Sequence, residues 1–165
     1  MRIFLLGFMG SGKSYWGHRW SLQYDIPYYD LDLEIENETQ LSITEIFESK
    51  GEDYFRRAEA DALRKMGLIT NGVIACGGGT PCFHENMNWI NAHGESIFLD
   101  AAPAFLLENI KKEKGRRPLI DVENENELLF FIEKKLKERM PFYTKAKHRL
   151  QAKEITVTSL DNIIN

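Results

Sequence analysis

Gly7-Phe8-Met9-Gly10-Ser11-Gly12-Lys13-Ser14 is the stretch whose residue types and spacing point most directly to chemistry. It fits GxxxxGK[ST], the spacing of a phosphate-binding loop. The glycines let the main chain wrap tightly, so that N–H groups turn inward toward phosphate oxygens, and the N-terminus of the following helix adds partial positive charge. Gly10, Ser11 and Gly12 are therefore expected around the phosphates of ATP, with Lys13 bridging the β- and γ-phosphates. Ser14 would offer its hydroxyl to Mg²⁺, which takes oxygen ligands in near-octahedral geometry and keeps several waters.

Other candidates follow along the chain. Asp30 and Asp32 sit close together, and two carboxylates repel unless a cation or a hydroxyl donor lies between them; a solvated turn at a helix start is the plainer alternative. Arg56 and Glu59 are three apart on one helix face, so the carboxylate can aim the guanidinium at an anionic substrate. The same spacing also describes a surface ion pair of small value. Gly77-Gly78-Gly79 costs backbone entropy at each position, more than a simple turn needs, which favours close approach of a ligand to the main chain. Lys114-Gly115-Arg116-Arg117-Pro118 concentrates positive charge in a break after a helix and is expected to form a mobile lid near 112–123. Arg139 ends a helix, as either a ligand cation or a partner of the helix dipole.

The elements that must position these residues alternate between strands and helices. Ile3, Phe4, Leu5 and Leu6 form an apolar run bounded by glycine, as in a strand covered on both faces. A helix is expected over 13–24, a short strand over 26–29, and polar helical sequence toward Glu38. Ser42 with Glu45 reads as a capping box, Gly51 as a stop, and 53–65 has helical spacing. Strands are expected at 73–76 and 96–99, with helical sequence around Trp89 between them. Helices over 103–112 and 125–139 follow, then a last strand at 150–152 and a short terminal helix capped by Thr158 with Asp161. This order predicts an α/β three-layer sandwich on a largely parallel sheet, with ligands at the strands' C-terminal ends.

Length and composition set outer limits. The 165 residues suit one domain spanning 1–165, and a hydrophobic share of 43% with 28% charged residues is ordinary for a globular protein. The net charge of -4 argues against a general nucleic-acid binder. Cys76 and Cys82 have no spacing for a zinc site and read as inert thiols. The apolar N-terminus is interrupted too early for a signal segment and no run approaches a membrane span, so a cytoplasmic protein without membrane partners is expected. A monomer is the default expectation.

The phosphate-binding loop, Asp30-Leu31-Asp32, Ser42-Ile43-Thr44-Glu45-Ile46-Phe47 with Gly51-Glu52, Phe55-Arg56 with Glu59, Gly77-Gly78-Gly79, Arg117-Pro118-Leu119, and Arg139 with Tyr143 occur in an order that resembles the shikimate kinase family. The resemblance implies a P-loop NTPase fold of the nucleoside-monophosphate-kinase type with a central five-stranded parallel sheet. It also implies transfer of the ATP γ-phosphoryl to the 3-hydroxyl of shikimate. By the same resemblance, Asp32 positions or deprotonates the hydroxyl, and Asp30 meets Mg²⁺ through water. Arg56 and Arg139 bind the substrate carboxylate, Gly78 lies against the substrate, and Arg117 reaches the transferring phosphoryl group and ATP. Phe47 and Phe55 would wall the ring, although Phe at helical spacing is also ordinary core.

Three features depart from the family pattern. Tyr15 and Trp16 follow Ser14 where smaller residues are frequent, Lys111 or Lys112 stands where a basic adenine contact is expected, and the segment 147–158 offers no assignable base contact. Another small-metabolite or nucleoside monophosphate kinase, such as a gluconate-type enzyme, would share Lys13 and Ser14. A non-catalytic ATP-binding regulator would need neither lid cation nor acceptor set.

Overall fold

The computed structural model describes residues 1–113 and 124–164. Five strands form one all-parallel sheet in the order β2-β3-β1-β4-β5. They are β1 (Arg2–Leu6), β2 (Tyr28–Asp30), β3 (Gly72–Ala75), β4 (Glu95–Asp100) and β5 (His148–Gln151). Helices α1 (Lys13–Tyr24), α2 (Leu31–Thr39), α3 (Ile43–Lys50), α4 (Glu52–Lys65), α5 (Asn86–His93), α6 (Pro103–Lys112), α7 (Glu125–Tyr143) and α8 (Asp161–Ile164) connect and flank them.

Alternation along the strands divides the core into two layers, because successive side chains leave a strand on opposite faces. Ile3, Leu5, Val73, Ile97 and Leu99 meet Trp20 of α1 and the C-terminal residues Ile155 and Leu160. On the other face Phe4, Leu6 and Ile74 meet α2, α3, α4 and α5, while Phe98 meets α6 and α7. Both faces of the sheet are thus covered, which is why β1 and β3 read as unbroken apolar runs.

The local signals act as expected. Ser42 and Glu45 complete a reciprocal capping box at α3, and Gly51 closes that helix and opens α4. Several boundaries differ: β2 begins at Tyr28 rather than 26, and β5 at His148 rather than 150. The helix expected to end near 139 continues through Pro141 to Tyr143, since a proline in the last turn forfeits only one main-chain bond there. Asp161 begins α8, but its carboxylate accepts from the Tyr24 hydroxyl at 2.5 Å rather than capping the helix. The lid expected near 112–123, with Arg116, Arg117 and Pro118, lies outside the described residues beyond its first two positions. Among the described residues no helix is long and apolar enough to cross a membrane.

Candidate active site

A cleft of about 500 Å³ opens at the C-terminal ends of β1, β2 and β3. Gly10, Gly12, Lys13, Ser14, Asp30, Asp32, Arg56, Gly78 and Arg139 all line it. Residues up to 129 positions apart in the chain therefore meet in one place, between the phosphate-binding loop and the Gly77-Gly78-Gly79 turn.

The loop's shape depends on Gly12, which caps α1 in the left-handed region at φ 98°. Helix α1 starts there, with the Trp16 N–H donating to the Gly12 carbonyl at 2.9 Å. Lys13 folds back over the loop, its Nζ donating to the carbonyls of Gly7 at 2.8 Å and Phe8 at 3.0 Å. Ser11 lies under the loop: its N–H donates to the Phe8 carbonyl at 3.0 Å and its hydroxyl is buried, so its main contribution is to loop shape. Ser14 is exposed to the cleft.

Asp30 ends β2 and caps α2, with Oδ1 accepting from the Asp32 N–H at 3.0 Å and the Leu33 N–H at 3.4 Å. The cap holds Asp30 at the strand end and turns Asp32, in the first turn of α2, into the cleft opposite Gly77. With Ser14, these carboxylates make an all-oxygen constellation suited to a hard cation. Among the described residues no cluster of three or more His, Cys, Asp or Glu side chains forms a metal cage. A cation bound largely by water and phosphate oxygens needs no such cage.

At the other end of the cleft the reading of Arg56 as a surface pair fails on burial. Arg56 is 8% exposed and Glu59 0%, and Nη1 donates to Glu59 Oε1 at 2.9 Å. Glu52, itself exposed, accepts from Nε at 3.3 Å. Glu59 Oε2 accepts from the buried Thr80 hydroxyl at 2.7 Å, so one carboxylate ties α4 to the residue after the glycine turn. The rings of Phe83 and Phe55 stand 4.2 and 5.1 Å from the guanidinium. Arg56 is thus fixed on several sides, as a low-entropy anion receptor must be.

The glycine turn is needed for clearance. A methyl group on Gly79 would lie 2.6 Å from Arg56 Nη2, and one on Gly78 would lie 2.8 Å from Arg139 Nη1. Two guanidinium groups therefore converge on adjacent glycines. Arg139 leans over the Phe8 ring at 5.2 Å. Tyr143, one helical turn further along α7, stacks on Phe98 and donates its hydroxyl to the Gly78 carbonyl at 2.6 Å. Burial pushes that phenol well above its ordinary pKa, so it remains a donor.

Phe47 and Phe55 satisfy both readings, since their rings lie 4.7 Å apart in the core and also line the cleft. Complete burial raises the Cys76 thiol far above its usual range, leaving it an inert core residue, and burial also raises Cys82. Thr80, Phe83 and Tyr28 went unnoticed in the sequence, because nothing local marks a threonine, a phenylalanine or a strand tyrosine as a neighbour of distant charged groups. Arg117 lies outside the described residues.

Comparison with known proteins agrees with this geometry. A family model described as shikimate kinase matches residues 9–165. A shikimate kinase of Phocaeicola vulgatus is 39% identical over 154 residues, covering 93% of this chain and 88% of the relative. The crystal structure of shikimate kinase from Bacteroides thetaiotaomicron superimposes with a TM-score of 0.94 at 34% identity, covering 99% of this chain and 98% of that one. Shikimate kinase from Acinetobacter baumannii, solved in complex with shikimate, gives a TM-score of 0.83 at 30% identity over 99% of this chain and 89% of its own. On these matches, and with the phosphate-binding loop and the two converging arginines in one cleft, the chain belongs to the shikimate kinase family and is an ATP-dependent kinase.

Proposed function

We propose that the cleft performs the transfer of the ATP γ-phosphoryl to the 3-hydroxyl of shikimate through a division of labour between its two ends. The observation that carries this reading is the convergence of Arg56 and Arg139 on Gly78 and Gly79, in the cleft that Lys13 also lines. Two guanidinium groups on neighbouring glycines suit one carboxylate, with bidentate contacts that an ammonium would not reproduce. A substrate anchored there turns its ring hydroxyls toward Asp32, which lines the same cleft beside Gly77.

The loop N–H groups and the α1 N-terminus hold the phosphates. Lys13, which rests on the Gly7 and Phe8 carbonyls, has only to swing outward to meet the β- and γ-oxygens. Ser14 and, through water, Asp30 would hold Mg²⁺, which when bound neutralises phosphate charge. Asp32 accepts a hydrogen bond from the reacting hydroxyl, aligns its oxygen with the γ-phosphorus and takes the proton as the new P–O bond forms and the bond to the β,γ-bridging oxygen breaks, releasing ADP. Arg117, placed by the sequence alone, stabilises charge on the transferring group. Phe47 and Phe55 give the ring an apolar wall and help exclude water.

Supplying ATP with shikimate, gluconate or CMP in turn, and locating the phosphate on the product by NMR, tests this reading. Phosphorylation of shikimate at the 3-hydroxyl with little turnover of the others is expected. Preferential transfer to gluconate or CMP would assign the acceptor end to another substrate.

A further inference from the structure

Tyr28 opens β2 two residues before Asp30, so both side chains leave the strand on the same face, the one covered by α1. The ring packs against that helix. A methyl group on Gly17 would come within 2.5 Å of Tyr28 Cε2, and the His18 ring sits 3.9 Å from the Tyr28 ring. Ser14 is one turn before Gly17 and His18 on the same face of α1, at the end that meets the cleft. The phenol thus lies in the groove between α1 and β2, below the Ser14 hydroxyl and the Asp30 carboxylate.

The Tyr28 hydroxyl is buried and makes no hydrogen bond of good geometry among the described residues. The Ser14 hydroxyl and the Asp30 carboxylate are its hydrogen-bonding neighbours, loosely placed, and the Asp32 carboxylate acts on it by charge alone. A buried hydroxyl with only loose contacts to Ser14 and Asp30 is incompletely satisfied, and such groups favour a better-placed partner such as a bound water. Tyr24, on the same helix face's margin, shows the ordinary arrangement: its hydroxyl bonds both Asp161 and the Val157 carbonyl.

We propose that Tyr28 is a positioning residue for the metal, its hydroxyl holding a water of the hydrated Mg²⁺ that Ser14 and Asp30 bind. The inference rests on the Mg²⁺ reading of Ser14 and Asp30 given above. A neutral phenol is a poor direct ligand for Mg²⁺, but it is a good outer partner for a cation that keeps most of its waters.

The test is Tyr28→Phe in the full chain, compared with wild type and Ser14→Ala. Melting temperature without nucleotide or metal, ADP affinity by calorimetry with and without Mg²⁺, and Mn²⁺ binding to the ADP complex by electron paramagnetic resonance are the readouts. The variant should melt within a degree or so of wild type, because the hydroxyl makes no hydrogen bond of good geometry to lose. Its metal-free ADP affinity should stay within about twofold, while Mn²⁺ affinity of the ADP complex falls about tenfold, the scale of an outer partner of a metal. Full metal affinity in Tyr28→Phe with loss in Ser14→Ala overturns the Tyr28 role alone. Full affinity in both variants overturns the Ser14–Asp30 metal site, and the Tyr28 proposal with it. Equal loss of metal-free ADP binding makes Tyr28 merely structural and also refutes the proposal.

Discussion

Replacing Glu59 by Gln keeps the size of the side chain under the glycine turn and removes the charge that aims Arg56. The pair it breaks has side chains only 10% and 1% exposed and an Nη1–Oε1 distance of 2.9 Å. A hydrogen bond to a charged group contributes ~1.5–3 kcal/mol. Outright loss of one partner of a buried pair costs about 3–5 kcal/mol. The amide retains one acceptor oxygen for either Arg56 or Thr80, so the expected loss lies near the lower figures, ~2–3 kcal/mol. Glu52 cannot replace it, because its carboxylate is 57% exposed and such pairs are worth about 0–1 kcal/mol. Losing a carboxylate also leaves Arg56 less neutralised, which favours an anionic substrate. Misalignment outweighs that gain, since a displacement of about 1 Å can cost roughly a hundredfold. The KM for shikimate should therefore rise about 30- to 140-fold, at ~1.4 kcal/mol per factor of ten, with the KM for ATP nearly unchanged. Steady-state ADP release, with melting curves to confirm folding, provides the assay. A folded Glu59→Gln enzyme with wild-type KM for shikimate, or with both KM values raised equally, refutes the reasoning.

Three further outcomes follow from the same site and its surroundings. Gly79→Ala brings a methyl group to 2.6 Å from Arg56 Nη2 at a residue whose φ of -93° any side chain tolerates, so the effect is steric displacement of Arg56. The KM for shikimate should rise about tenfold or more while the melting temperature changes little, and an unchanged KM would show that Arg56 does not hold substrate. Arg117→Ala should lower kcat by roughly a thousandfold with equilibrium ATP binding retained, whereas Arg116→Ala should cost far less; equal activity of the two variants removes the assignment of Arg117 to the phosphoryl group. Glu95, bonded first by His148 and also by Lys147, has its pKa lowered on folding. Its contribution to stability is present above the unfolded value of about 4.3 and is lost as pH falls through the lower folded value. Glu95→Gln should thus flatten the acid limb of a stability curve measured by denaturant titration below about pH 4.3, and an unaltered acid limb would contradict the linkage.

Local chemistry is where the sequence alone sufficed. The phosphate-binding loop needs glycines, a lysine and a serine within eight consecutive residues, and the capping box at Ser42 and Glu45 spans four, so both are written in the chain itself. The apolar runs of β1 and β3 announced a sheet buried on both faces, and the order of motifs identified the family and the five-stranded parallel fold. Spacing could not decide whether Arg56 and Glu59 were a solvated pair or a receptor, because i,i+3 geometry is the same in both cases. Burial and Thr80, 21 residues beyond Glu59, decided it. The helix expected over 125–139 runs on through Pro141 to Tyr143, because the cost of a proline depends on how many turns remain. Only the complete helix brings Tyr143 to the Gly78 carbonyl, 65 residues away in the chain. The position of Tyr28 likewise emerges from the packing of α1 on β2. Short-range steric and capping preferences are properties of neighbouring residues and survive in one dimension. Charge alignment, burial and clearance around glycine arise only when distant segments are packed together.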